Sequence, residues 1–304
     1  MRVLVAGASG FVGGALAEVL TDQGHEVTAM TRRPASYVGA GTPVGADVQD
    51  AETVRAAMVG QDAAYYLVHS LAESNFAEQD RVAARNFGQA AHACRVHQVI
   101  YLGGLGADAD DLSEHLRSRR EVEAILRDTT ATTALRAGIV VGDGGISWEI
   151  LRQLVERLPA MVTPRWVETR SQPIALVDAV YYLARVLGRP EAVGNTYEIG
   201  GPDILSYRDM MATVAEITGR RRIILPVPLL SPRLSSHWLR LVTDVDLTTA
   251  RALVDSMTNE VIVHDHDIDT LLPHEPLPFA AAAARALAAR AERRRVHGTV
   301  PVGR

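Results

Sequence analysis

Short runs in which nearly every residue is apolar alternate with longer stretches of helical period through the first half of the chain. Val3–Ala6, Glu26–Met30, Ala63–Val68, Gln98–Leu102 and Thr133–Arg136 read as strands. Between them, Phe11–Thr21, Ala51–Met58, Phe76–Ala93 and Glu114–Arg127 read as helices. The strand segments are continuously apolar rather than alternating, so both of their faces must be covered, as in a parallel sheet wrapped by helices. The pattern predicts an α/β fold with a doubly wound sheet, whose ligands bind beyond the carboxyl ends of the strands.

The texture changes after Gly142. Prolines at 159, 164, 173, 190, 202, 226, 228 and 232 cut the pattern into short pieces. A helix near Val177–Leu187 and a strand, turn and helix near Thr196–Thr218 remain regular. The last helix, Phe279–Arg295, is alanine-rich and ends in three arginines, cations that suit a helix C-terminus. The expected organisation is a ligand-binding sheet domain over 1–142, then 143–298 as the end of the sheet interleaved with a smaller mixed lobe, and a loose tail at 299–304.

Composition narrows the chemistry. The 304 residues are 47% hydrophobic and 22% charged, enough for a sizeable core. All 31 basic residues are arginine, so Schiff-base lysines and lysines on phosphates are excluded. Any positive charge near a ligand comes from a side chain that keeps its proton. A net charge of -5 speaks against nucleic acid as a partner. No apolar run is long enough to span a membrane, and the stretch after Met1 enters a strand without a signal-peptide core. Cys94 stands alone. A cytoplasmic protein is the expectation. His264, Asp265, His266, Asp267 and Asp269 resemble a metal cluster, but strand alternation would split the imidazoles from the carboxylates, so no metal is expected.

Gly7, Gly10 and Gly13 form a G-x-x-G-x-x-G run directly after a strand and at the opening of a helix. In that context Gly7 permits the turn and Gly10 lets backbone approach a pyrophosphate. Gly13 lets helix and sheet pack closely, and the helix N-terminus meets the anion. Ser9, Phe11 and Val12 complete the candidate phosphate loop of a Rossmann dinucleotide site. The next strand ends in Thr31-Arg32-Arg33, where an NAD site would carry an acid for the ribose 2′-hydroxyl. Two guanidinium forks suit a 2′-phosphate instead, which favours NADP(H) over NAD(H). Two solvated loop arginines are the alternative.

At these residues the chain resembles the extended and atypical branch of the short-chain dehydrogenase superfamily, and within it NmrA-like and complex I accessory-subunit-like proteins. Tyr65 to Ser70, Tyr101 to Leu105 and 163–166 carry the narrower likeness. The resemblance implies that Asp47 and Val48 contact adenine, with Asp47 as a mere turn residue the alternative. It also implies that Gly138 and Ile139 lie beside the nicotinamide. Val68, His69 and Ser70 end a buried strand where a dinucleotide would pass, although a structural role for His69 is equally open. Trp166 reads either as cleft lining or as a packing anchor.

Active members of the superfamily use a strand-end serine and a Tyr-x-x-x-Lys pair on one helical face. Here the strand ends in Gly103-Gly104, and the pair positions hold His115 and Arg119. Either His115 is a substitute acid with Arg119 on ribose or phosphate, or this helix is only polar and the protein holds the dinucleotide without turnover. The expected function is an NADP(H)-dependent reductase of a small apolar carbonyl, enone or quinone. The alternative is a non-catalytic NAD(P)(H) sensor or accessory protein. A sugar-nucleotide epimerase ranks last, because it needs the missing Tyr-Lys pair. Substrate and oligomeric state are not legible.

Overall fold

β1 (Arg2–Ala6) and α1 (Phe11–Asp22) open the chain, followed by β2 (Glu26–Thr31), β3 (Thr42–Gly45) and α2 (Ala51–Met58). Next come β4 (Ala63–Tyr66), α3 (Phe76–Ala93), β5 (Gln98–Gly104), α4 (Glu114–Thr129) and β6 (Thr132–Ala137). The second half contains β7 (Val140–Val141), α5 (Ile146–Arg157), β8 (Ala160–Thr163), β9 (Arg170–Ser171), β10 (Ile174–Ala175) and α6 (Leu176–Arg185). It closes with β11 (Thr196–Ile199), β12 (Leu205–Ser206), α7 (Tyr207–Ile217), β13 (Ile223–Pro226), α8 (Leu247–Ser256), α9 (Asp267–Leu271) and α10 (Phe279–Gly298). This computed structural model describes residues 1–71, 73, 75–106, 111–163, 165–226, 244 and 246–298. Pro164, Pro228, Pro232 and the tail expected at 299–304 lie outside the described residues.

Two compact units divide the chain. The first comprises Met1–Ala137, Ala179–Ile199 and Val263–His274, and the second Gly138–Asp178, Gly200–Ile262 and the described residues from Glu275 onward. The first unit holds a seven-stranded sheet in the order β11-β6-β5-β4-β1-β2-β3, parallel throughout. It is the doubly wound Rossmann sheet that the apolar pattern predicts. Val3, Leu4, Val5 and Ala6 are fully buried, as are the four residues of β4, because helices cover both faces. One face packs Leu4, Tyr66 and Tyr101 against Val54, Phe87, Val122 and Leu126 of the helices.

Strand order reverses between β1 and β4, which places a crevice beyond Ala6 and Tyr66, partners in the ladder. β4 ends two residues earlier than its apolar run, because β1 has already turned away at Gly7; a last bond, from the Leu67 N–H to the Ala6 carbonyl (3.1 Å), closes the pair. β5 runs further than expected, through both glycines to Gly104, which pairs with Ala137. β3 was not anticipated: it is the sheet edge, holds Pro43 and buries little, so it lacks an apolar run.

The second unit carries three two-stranded sheets, β7 with β10, β8 with β13 and β9 with β12. Arg152, buried in α5, pairs with Glu149 (2.6 Å) and with Glu156, and Arg290 of α10 reaches Glu149 at 3.2 Å. α7 begins with a reciprocal capping box between Ser206 and Asp209.

Candidate dinucleotide site

The glycine run has a steric explanation at two positions. Gly7 has φ +90, a conformation that side chains disfavour, and a Cβ there would stand 2.7 Å from the Leu67 carbonyl oxygen. A Cβ on Gly13 would overlap the Gly7 carbonyl, so only glycine lets α1 seat this close to the strand end. The Gly10 N–H closes the turn onto the Gly7 carbonyl at 2.8 Å. No side chain caps α1 at Gly10 and no acid lies in its first turn, so the positive end of the helix is unopposed. Ser9 and Gly10 are exposed there, and Phe11 and Val12 are half-buried. An open cradle of this kind at the sheet's switch point fits a pyrophosphate.

Arg32 and Arg33 are both exposed just past β2, and the Arg33 N–H is tied to the Thr31 hydroxyl at 3.2 Å. Asp47, past β3, accepts from the Gln49 N–H at 3.0 Å. Asp50, not Asp47, caps α2, accepting from Glu52 (2.9 Å) and Thr53 (3.3 Å). Val48 is buried and its carbonyl takes the Asn86 amide at 3.0 Å.

Beyond β4 the construction changes from backbone to side chains. Asp80 of α3 is 1% exposed, and both of its carboxylate oxygens are used. The Ser70 N–H donates to Oδ1 at 3.0 Å, and the Ser118 hydroxyl donates to Oδ2 at 3.0 Å. Arg119 forms an ion pair with the same Oδ2 and reaches the Val68 carbonyl at 3.3 Å. The Arg119 carbonyl in turn accepts from the Tyr101 hydroxyl at 3.1 Å. Arg119, expected on a ribose or phosphate, is thus joined to Asp80 and the strand end.

His69 and His115 stand on either side of this network, His69 exposed and His115 half-buried. Neighbouring protein, then the Arg119 cation, holds His69 below the usual imidazole range, with Asp80 opposing. The same crowding, with Arg119 and His69, pushes His115 to about 3. These surroundings favour the neutral form of both rings. A neutral ring still donates one N–H to an oxygen.

Gly103 and Gly104 stand where the superfamily carries its serine, and neighbours crowd both positions. A Cβ would stand 2.9 Å from the Tyr101 ring at Gly103, and 2.9 Å from a Leu116 methyl at Gly104. Tyr101 and Leu116 are themselves buried. Gly138 and Ile139 belong to the second unit, where a Cβ on Gly138 would stand 2.9 Å from the Gln172 carbonyl. The Ile139 carbonyl accepts from Ile174 at 2.9 Å. In that unit Trp166 packs edge-on against Tyr207 at 5.7 Å and lines a small apolar pocket with Leu151, Leu154, Met211 and Met257.

His266 bonds Asp269 (3.2 Å), and the His264 N–H donates to Glu198 (2.7 Å). Among the described residues no group of three or more such side chains is placed to hold a metal. Nor, among them, is any helix long and apolar enough to cross a membrane.

Comparison with known proteins agrees with this geometry. Residues 7–154 match the NAD(P)H-binding family. Over that stretch the chain is similar to an NAD(P)H-binding domain, in line with the NmrA-like, atypical short-chain dehydrogenase resemblance of its motifs. The mitochondrial NADH dehydrogenase [ubiquinone] 1 alpha subcomplex subunit 9 of Arabidopsis thaliana is 24% identical over 74% of this chain and 60% of its own length. This chain therefore spans less than two thirds of that relative. The (4-alkanoyl-5-oxo-2,5-dihydrofuran-3-yl)methyl phosphate reductase of Streptomyces griseus is 28% identical over 72% of this chain and 74% of that protein. Among solved structures, the NADPH-dependent quinone oxidoreductase QOR2 of Escherichia coli, complexed with NADPH, superposes with a TM-score of 0.75. Its identity is 20%, over 94% of this chain and all of that one, so this likeness speaks for the fold alone.

Asp80 and Ser118 are the site residues that the sequence reading missed. Their signal was present: Asp80 falls on the face of α3 that otherwise buries Phe76, Ala83, Ala84 and Phe87. A carboxylate on an apolar helical stripe requires a buried partner.

Proposed function

We propose that the chain is an NADP(H)-dependent reductase of a small apolar carbonyl, enone or quinone. One observation carries the reading: the uncapped, glycine-built cradle after β1 stands with two exposed arginines after β2, where an NAD site would place an acid. Gly7, Ser9, Gly10, Phe11, Val12 and Gly13 hold the pyrophosphate, and Arg32 and Arg33 bind the 2′-phosphate. Asp47 and Val48 contact adenine, and Val68, His69, Ser70 and Gly103 line the path toward the nicotinamide. When bound, the cofactor supplies the hydride. His115, neutral at pH 7, donates an N–H to the substrate oxygen, and water delivers the proton. Arg119 acts through its pair with Asp80. The reductase named for the Streptomyces relative, whose substrate is a phosphorylated unsaturated lactone, supports reduction as the reaction class.

The test is a titration of NADPH against NADH with the wild type, Arg32→Ala and Arg33→Ala. Charge-assisted contacts to a phosphate predict a loss of about tenfold to a hundredfold in NADPH affinity, with NADH little changed. Equal wild-type affinities, or variants without effect, overturn the cofactor assignment.

A second reading, a non-catalytic NAD(P)(H) sensor or accessory protein, draws on the occupied guanidinium of Arg119, the crowded serine slot and the likeness to a respiratory-complex subunit. NADPH binding without oxidation across a broad panel of quinones and enones would favour it over the reductase.

A further inference from the structure

The Asp80 network is costly for a structural device. A buried ion pair contributes little net stability compared with apolar packing, because both charges lose their water. This one also consumes the Ser70 amide and the Ser118 hydroxyl on a single carboxylate. Its four attachments are the segment after β4, α3, the first half of α4 and, through the Arg119 carbonyl, Tyr101 of β5. The two imidazoles flank it: His69 lies between Val68 and Ser70, both tied to the network, and His115 sits one helical turn before Arg119 on the same face of α4. The charged and titratable groups facing them are Arg119 of α4 and Asp80 of α3, with Tyr66 of β4 and Tyr101 of β5 behind.

We propose that Asp80 is a positioning residue: through Arg119 and the Ser70 amide it fixes segment 68–70 against the first turns of α4. His69 and His115 then stand together as a pair of N–H donors for one oxygen of an uncharged substrate. The substrate half of this statement rests on the reductase reading; the positioning half concerns the protein without ligand. The arrangement answers the missing serine and tyrosine with two imidazoles held beside a cation.

The experiment is histidine 15N NMR on the full chain, comparing wild type, Asp80→Ala, Asp80→Asn and Ser118→Ala, with His25, His92, His97, His264, His266 and His274 as internal references. In the wild type His69 and His115 each keep one neutral tautomer down to about pH 5. Asp80→Asn keeps one oxygen for the Ser70 N–H but loses the acceptor that Ser118 and Arg119 share, so it disturbs the tautomers less than Asp80→Ala does. Asp80→Ala releases the segment, mixing the tautomers of both rings while the reference histidines stay unchanged. Ser118→Ala, which removes one donor and exposes no charge, gives the same change in smaller measure and serves if Asp80→Ala does not fold. Unchanged His69 and His115 signals in both of these variants overturn the proposal.

With NADPH and an active quinone or enone, Asp80→Ala lowers kcat by a larger factor than it raises KM for NADPH. A wild type that binds no NADPH sinks the reductase reading, while the spectra of the ligand-free chain still decide the positioning of the two histidines.

Discussion

The two ends of the candidate site are built in opposite ways. At β1 the cradle is backbone: absent side chains at Gly7 and Gly13 create the shape, and helix geometry supplies the charge. At β4 and α4 the work is done by side chains, with Asp80, Ser118 and Arg119 locked to one another under two histidines. A backbone site tolerates almost any neighbour provided nothing grows into it. A side-chain site depends on each partner, because removing one leaves another buried and unsatisfied. Phosphate binding can therefore persist across distant proteins while the reacting end diverges.

Four measurements would sharpen or break that contrast. Arg119→Met leaves Asp80 buried with its counter-ion removed, and a loss of about 3–5 kcal/mol in urea unfolding is expected. A loss below about 1 kcal/mol would mean that water already reaches the pair. Gly13→Ala drives a methyl into the Gly7 carbonyl; it should cost about 1–3 kcal/mol and abolish NADPH binding, both read in one thermal-shift titration. If cofactor still protects this variant, the cradle is less tight than its geometry.

The third measurement uses pH. His115 is held near 3 in the fold against its ordinary 6.5, so the unfolded chain takes up the proton first as pH falls. Stability from this group is complete above about pH 6.5 and declines as pH drops toward 4. The slope of unfolding free energy over that window should flatten in His115→Asn, and an unaltered slope would show the ring to be solvated. The smallest effect belongs to the loop. Ser9→Ala removes one neutral donor from a site made of amides, and should weaken NADPH binding by about threefold to tenfold. A far larger loss would give side chains a share in the cradle.

The same division governs what could be read from the sequence. Continuous apolar runs revealed five strands because burial on both faces leaves no polar register. β3 escaped because an edge strand of Thr42, Pro43, Val44 and Gly45 buries almost nothing. The glycine cradle was legible since only glycine meets its steric demand. Arg119 was recognised by position and assigned to a ligand, whereas its partner lay 39 residues earlier, on another helix. Linear spacing shows neighbours on one helix but not pairs across two. The low proton affinity of His115 likewise comes from crowding that only the folded chain creates.

The double glycine at the end of β5 has a practical consequence. Leu116 and Tyr101 lie so close to Gly103 and Gly104 that a side chain at either glycine requires a neighbour to move. A serine installed at Gly103 would meet the Tyr101 ring edge, and one at Gly104 a Leu116 methyl, so each needs a neighbouring side chain to shift. An engineer grafting ordinary dehydrogenase activity onto this scaffold should redesign the 105–116 connection before touching any reacting group.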